Sequence, residues 1–136
     1  MTTTRSSALS FLVLLCCASL GTRAESADLT GVWSTDAAVC NKVFAKSGDK
    51  VSFTKDADLY GNGFIIEGKQ IRGSTATCRI KATKEEGAMV HMIAACATDI
   101  MLSDIQLSVK IIDADTIVRV FPSMPDIENI YHRCAM

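Results

Sequence analysis

The stretch from 75 to 97 constrains this chain most. Two β-like runs, each holding one cysteine, flank a polar turn at Lys84-Glu85-Glu86-Gly87. Read with period 2, Cys78, Ile80 and Ala82 share one face of the first run, and Val90, Met92, Ala94 and Cys96 share one face of the return. Gly87 suits a tight hairpin because glycine adopts positive φ at no steric cost. A register centred there sets Cys78 opposite Cys96 on the buried side, so the stretch is expected to be a cross-linked hairpin.

Export explains why such a cross-link would persist. Residues 1–24 are read as a secretory signal: Arg5 supplies the basic start, residues 8–20 form an uncharged apolar run, and Ala24 precedes the expected cut. The run falls short of the about 20 apolar residues that span a bilayer. Cys16 and Cys17 lie inside it and are read as part of the signal, not as a lipid anchor, because Leu15 and not a small residue comes before them. Residues 25–136 then form one small disulfide-stapled β domain, exported to the periplasm or secreted. Arg5 and Arg23 leave with the signal, so the domain carries 12 basic residues against 15 acidic ones. That mildly acidic balance argues against a nucleic-acid surface, which needs a basic face.

Cys40, Cys78, Cys96 and Cys134 remain. No two lie closer than 18 residues apart, which excludes the paired-knuckle spacing of structural zinc sites and favours two disulfides. The preferred pairing is Cys78–Cys96 across the hairpin with Cys40–Cys134 tying the domain's ends. Cys40–Cys78 with Cys96–Cys134 is the alternative, and spacing does not separate the two.

Along the rest of the chain, residues 28–33 read as a first strand containing the only tryptophan, Trp33. Residues 36–44 read as a short helix with the apolar stripe Val39, Cys40, Val43, Phe44. Val51 and Phe53 alternate inward from a short strand. Asp56, Asp58, Gly61 and Glu67 sit at positions 1, 3, 6 and 12 of a calcium loop. Tyr60 occupies a ligand position and the flanks are strand-like, so a polar turn into a strand at 63–67 is the expectation and no metal is assigned. Ile105, Leu107, Val109 and Ile111 alternate with Gln106, Ser108 and Lys110, the clearest amphipathic strand in the chain. Pro122 and Pro125 interrupt the sheet, because proline cannot donate to a ladder, and residues 130–134 close it. The fold class expected is mainly β: a small antiparallel meander barrel or sandwich of seven or eight strands, with one short N-terminal helix and two disulfides.

Gly31-x-Trp33 on the first strand, with Arg133 on the last, resembles the calycin pattern of lipocalins, avidins and small bacterial metalloprotease inhibitors. The resemblance implies that Trp33 packs across one barrel end under Arg133, whose guanidinium stacks on the indole face. The chain departs from the pattern by placing its helix-like segment directly after the tryptophan. The arrangement of tryptophan, helix cysteine, central cysteine pair and terminal Arg-Cys is similar to small exported proteins of alphaproteobacteria. That likeness implies export and no particular activity.

Catalytic groupings are sparse. His91 and His132 are the only histidines, with no i, i+2 or i, i+4 pair to hold a metal. Parity turns His91 to solvent and leaves His132 partly buried. Ser103, Asp104 and His132 supply a triad's residue types without a nucleophile elbow. No enzyme activity, metal or cofactor is assigned. The function expected is a non-enzymatic periplasmic binding or inhibitory module. It would meet an unknown protein or small ligand through surface loops at 57–63, with Asp56, Asp58, Tyr60 and Asn62 as candidate contacts, and at 121–127. The alternative is a carrier of a small apolar ligand inside the barrel, lined by Ile80, Met92, Ile105, Leu107 and Val109. A carrier requires an unfilled apolar cavity of roughly 300 Å3 or more.

Overall fold

Alternating apolar residues and tight glycine turns build most of this molecule from neighbouring hairpins. The computed structural model describes residues 27–136; the expected signal at 1–24, with Cys16 and Cys17, lies outside them. Eight strands close an antiparallel barrel. In chain order they are β1 (Gly31–Ser34), β4 (Gly63–Glu67), β5 (Gln70–Arg72), β6 (Thr77–Glu86), β7 (Met89–Ala97), β8 (Leu102–Asp113), β9 (Thr116–Val120) and β10 (Glu128–Arg133). From β4 onward each strand pairs with the next, and β1 lies between β4 and β10, which closes the ring without a free edge. Bulges between Ile80 and Ala82 and between Ile111 and Asp113 break the regular pairing, as tightly curved sheets require.

The cysteines pair in the preferred way, Cys40 with Cys134 and Cys78 with Cys96. Cys78 and Cys96 are directly opposed between β6 and β7. The opposed cysteines are as expected, with Gly87 in the turn at φ 61°. The bulge after Ile80, however, shifts the register by one residue between turn and cysteines. Ala82 therefore pairs with the exposed Ile93 and faces outward, against the expectation that it shares the inward face of Cys78 and Ile80.

Two apolar clusters lie on opposite sides of the barrel wall. The interior one gathers Trp33, Ile66, Ile71, Val90, Met92, Ala94, Val109, Ile117 and Tyr131. The second lies outside, where Val32 and Ile65 on the outer face of β1 and β4 meet Val43, Phe44 and Val51. These last belong to a covering layer of helix α1 (Cys40–Val43) and hairpin β2 (Phe44–Ser47) with β3 (Lys50–Phe53). The helix expected over 36–44 is thus shorter: a 3-10 turn at Ala37–Val39 capped by Asp36, then α1, with Phe44 already extended. Its stripe is nonetheless the buried one, since Val43 and Phe44 have at most 1% of their surface exposed. Fully burying an aliphatic or aromatic side chain is worth about 1.5–3 kcal/mol. Phe44, Val43 and Ile65 therefore hold the layer to the wall, and Cys40–Cys134 rivets it to the chain end beyond β10. The alternation of Val51 and Phe53 faces this outer cluster and not the barrel interior.

Candidate functional site

Chain direction sorts the loops into two ends. The end where β1 begins is closed. There Trp33 is buried, its indole Nε1 donates to the Leu29 carbonyl at 2.9 Å, and the Arg133 guanidinium carbon lies 4.3 Å from the ring centroid. Arg133 also donates to the carbonyls of Thr30, Asp28 and Ala114, which staples the first strand, the last strand and the β8–β9 turn together. Gly31 has φ 142°, and a Cβ there would lie 2.5 Å from Arg133 Nη1. This glycine is needed because the guanidinium occupies the space of a side chain. Trp33 and Arg133 thus meet in the way the resemblance implied.

The opposite end is open. It is bordered by the segment before β4, the β5–β6 loop, the β7–β8 loop and the β9–β10 loop. Between them a cup of about 400 Å3 descends into the barrel. Its wall includes Phe64, Ile71, Met92, Leu107, Val109 and Tyr131, and Tyr131 stands edge-on to Phe64 with ring centroids 4.8 Å apart. Leu29, Ile66 and Met92 also border a separate hollow of about 490 Å3 beside residues 27–30, so these three side chains form the cup's floor. Polar groups form a collar at the mouth: Asn62, Ser74, Thr75, Arg119 and Asn129.

Four of the five residues expected to line a carrier, Met92, Ile105, Leu107 and Val109, border the cup. Ile80 instead borders the hollow nearer the closed end, because it lies opposite Ala94, one inward position deeper than the Cys78–Cys96 pair. Arg119, Asn129, Phe64 and Tyr131 were not foreseen. The parity of Ile117, Arg119 and Phe121 marks them as one face of β9 and its exit. Val118 and Val120 on the other face are equally apolar, so the pattern does not say which face turns inward.

The candidate contact loop divides. Asn62 reaches the collar and is anchored by Thr35, which donates its backbone N–H to the Asn62 carbonyl at 2.9 Å. Asp56, Asp58 and Tyr60 lie on or beside helix α2 (Ala57–Tyr60), exposed, with Lys42 Nζ 5.1 Å from the Tyr60 ring centroid. The expected polar turn is a helical one here, since Ala57 turns inward and is buried. Among the described residues no three His, Cys, Asp or Glu side chains gather as a metal site.

Ser103, Asp104 and His132 are not brought together. Ser103 and Asp104 are on β8, His132 is on β10, β9 runs between, and Asp104 pairs with Lys81 at 2.9 Å. A different chain of catalytic residue types occurs on the outer wall. Ser108 Oγ and His91 Nδ1 share a hydrogen bond of 2.8 Å, and His91 Nε2 lies 3.5 Å from Glu86 Oε2. Ser108 is only 1% exposed, so its hydroxyl is sealed from any substrate. The three side chains join β6, β7 and β8 across their outer face. Lys84, hydrogen-bonded to Glu86, holds that carboxyl below the ordinary carboxylate range, with the His91 ring a smaller contributor.

Comparison of the chain with family models, with curated proteins and with solved structures gave no match.

Proposed function

We propose that this chain is an exported binding protein that takes a small, largely apolar molecule into the open end of its barrel. One observation carries the reading: about 400 Å3 of the interior is left unfilled by an apolar wall with a polar collar. Barrels of eight strands are just wide enough either to fill with side chains or to hold one small ligand. This recess, which descends among the interior side chains, has the room of roughly 300 Å3 or more that such a ligand needs. Two disulfides fit an oxidising compartment such as the periplasm, and no described helix is long and apolar enough to cross a membrane. The Trp33–Arg133 closure supports grouping the barrel with the calycins.

A second reading, a module docking a protein partner through its loops, draws on a different observation. Ile100 is 95% exposed and Leu102 84%, and Met101, Met124 and Ile127 are exposed at the same open end. Titration of the oxidised protein with the neutral dye Nile red separates the two. For a ligand cup, saturable binding at one site per chain is expected. Leu107→Trp, which fills the cup, abolishes it, while the double variant Ile100→Ser, Leu102→Ser leaves it unchanged. Absence of saturable binding, or loss in the rim variant with Leu107→Trp unaffected, overturns the cup in favour of the rim.

A further inference from the structure

Arg119 is the one charged residue on the cup's lining, which contains no aspartate or glutamate. Every other arginine with a described role at the barrel ends is engaged: Arg133 by three carbonyls, and Arg72 by the Val51 carbonyl and the Glu67 carboxylate. Arg119 makes no hydrogen bond and no ion pair with any described residue. Its sole partner is the Phe121 ring, whose centroid lies 4.7 Å from the guanidinium carbon. The side chain is only partly exposed, and it shares the inward face of β9 with the buried Ile117. Asn129 lies directly across from it on β10 and reaches the same collar.

A guanidinium presents five N–H donors and no acceptor, and withdrawing such a charge from water is costly unless an anion meets it. The ring of Phe121 supports the cation without consuming those donors. The acids at the open end, among them Asp56, Asp58, Asp99, Asp126 and Glu128, sit on exposed helix, loop and strand positions outside the lining. An anion is therefore attracted at one point only, where the apolar wall begins.

We infer that the cup selects an amphipathic carboxylate, with its head held by Arg119 and the Asn129 amide and its apolar body against Phe64, Leu107 and Tyr131. The inference rests on the cup reading above and adds the charge and orientation of the ligand. A carboxylate suits the site because its two oxygens match the guanidinium fork, and charge-assisted bonds of this kind are about twice as strong as neutral ones.

Titration calorimetry with decanoate and with decanol, which share a chain length and differ in the head, tests it on the oxidised protein. Decanoate is expected to bind about tenfold more tightly than decanol, equivalent to about 1.4 kcal/mol. Arg119→Gln brings the ratio close to one by weakening decanoate alone, Arg119→Lys keeps part of the preference, and Arg79→Gln on the exposed face of β6 changes nothing. Equal binding of acid and alcohol, insensitive to Arg119→Gln, overturns the inference and leaves the cup reading standing. Failure of both to bind overturns the cup and the inference together.

Discussion

Removing the two disulfides separately should cost unequal amounts, and the order follows from what each one joins. Cys40–Cys134 spans 94 residues of sequence and ties the covering layer to the chain end. In the chain-entropy account a bridge of that span raises the free energy of the unfolded chain by about 4.7 kcal/mol. Cys78–Cys96 spans 18 residues, for which the same account gives about 3.2 kcal/mol. Packing acts the other way: Cys78 and Cys96 are both buried, whereas Cys40 is partly exposed, so replacing the hairpin pair by alanine opens more space. Hairpin register limits the loss, since β6 and β7 remain paired along their length without the bridge. We expect Cys40→Ala with Cys134→Ala to lower stability by about 4–5 kcal/mol and Cys78→Ala with Cys96→Ala by about 3 kcal/mol. Domains of this kind hold only about 5–15 kcal/mol in all, so the first variant sits near the edge of folding. Urea unfolding followed by Trp33 fluorescence measures both, and the m value should rise more for the long-span variant, whose unfolded state expands further. Equal losses, or a greater loss from the hairpin pair, would refute the entropic ordering.

Gly31→Ala should destabilise by about 3 kcal/mol, combining strain at positive φ with displacement of a charged hydrogen-bonding group. Gly87→Ala, where φ is also positive but nothing lies within 4 Å, should cost only about 1 kcal/mol; indistinguishable melting curves would contradict the close approach of Arg133. Asp28 accepts a hydrogen bond from the Thr30 backbone N–H at 2.9 Å. That bond, ahead of the Thr30 hydroxyl and the Arg133 charge, holds its carboxyl below the ordinary range. The folded value is thus depressed, so the stabilisation is complete above the unfolded value and disappears as pH falls through the folded one. Carbon-detected NMR should give Asp28 a midpoint below that of a free aspartate, and a midpoint at or above it would refute the assignment.

How far the chain could be read before folding depended on whether a signal was local. The Cys78–Cys96 pairing was legible because alternation puts each cysteine on the apolar face of its arm, whereas the bulge after Ile80 that brings the two into register behind the Gly87-Ala88 turn was not. The strand at 105–111 was legible for the same reason, its apolar and polar residues alternating without exception. The short helix after Trp33 was legible in its stripe and not in its length, because Phe44 continues the stripe equally well in an extended chain. Val51 and Phe53 announced a buried face without saying which core it meets. Asp56 and Asp58 resembled a ligand loop only as spacing; in space Asp56 precedes a single helical turn and Asp58 lies within it.

By itself, then, the amino-acid order determined a cross-linked antiparallel β fold, since hairpin periodicity, glycine turns and an even cysteine count act over short distances. Tertiary structure alone decided the second layer outside the wall, the choice of inward face on β9, and the empty space at the open end. Each of these depends on which distant surfaces come to oppose one another. A cavity is the volume that side chains from seven strands fail to fill together, and no single stretch of chain records it.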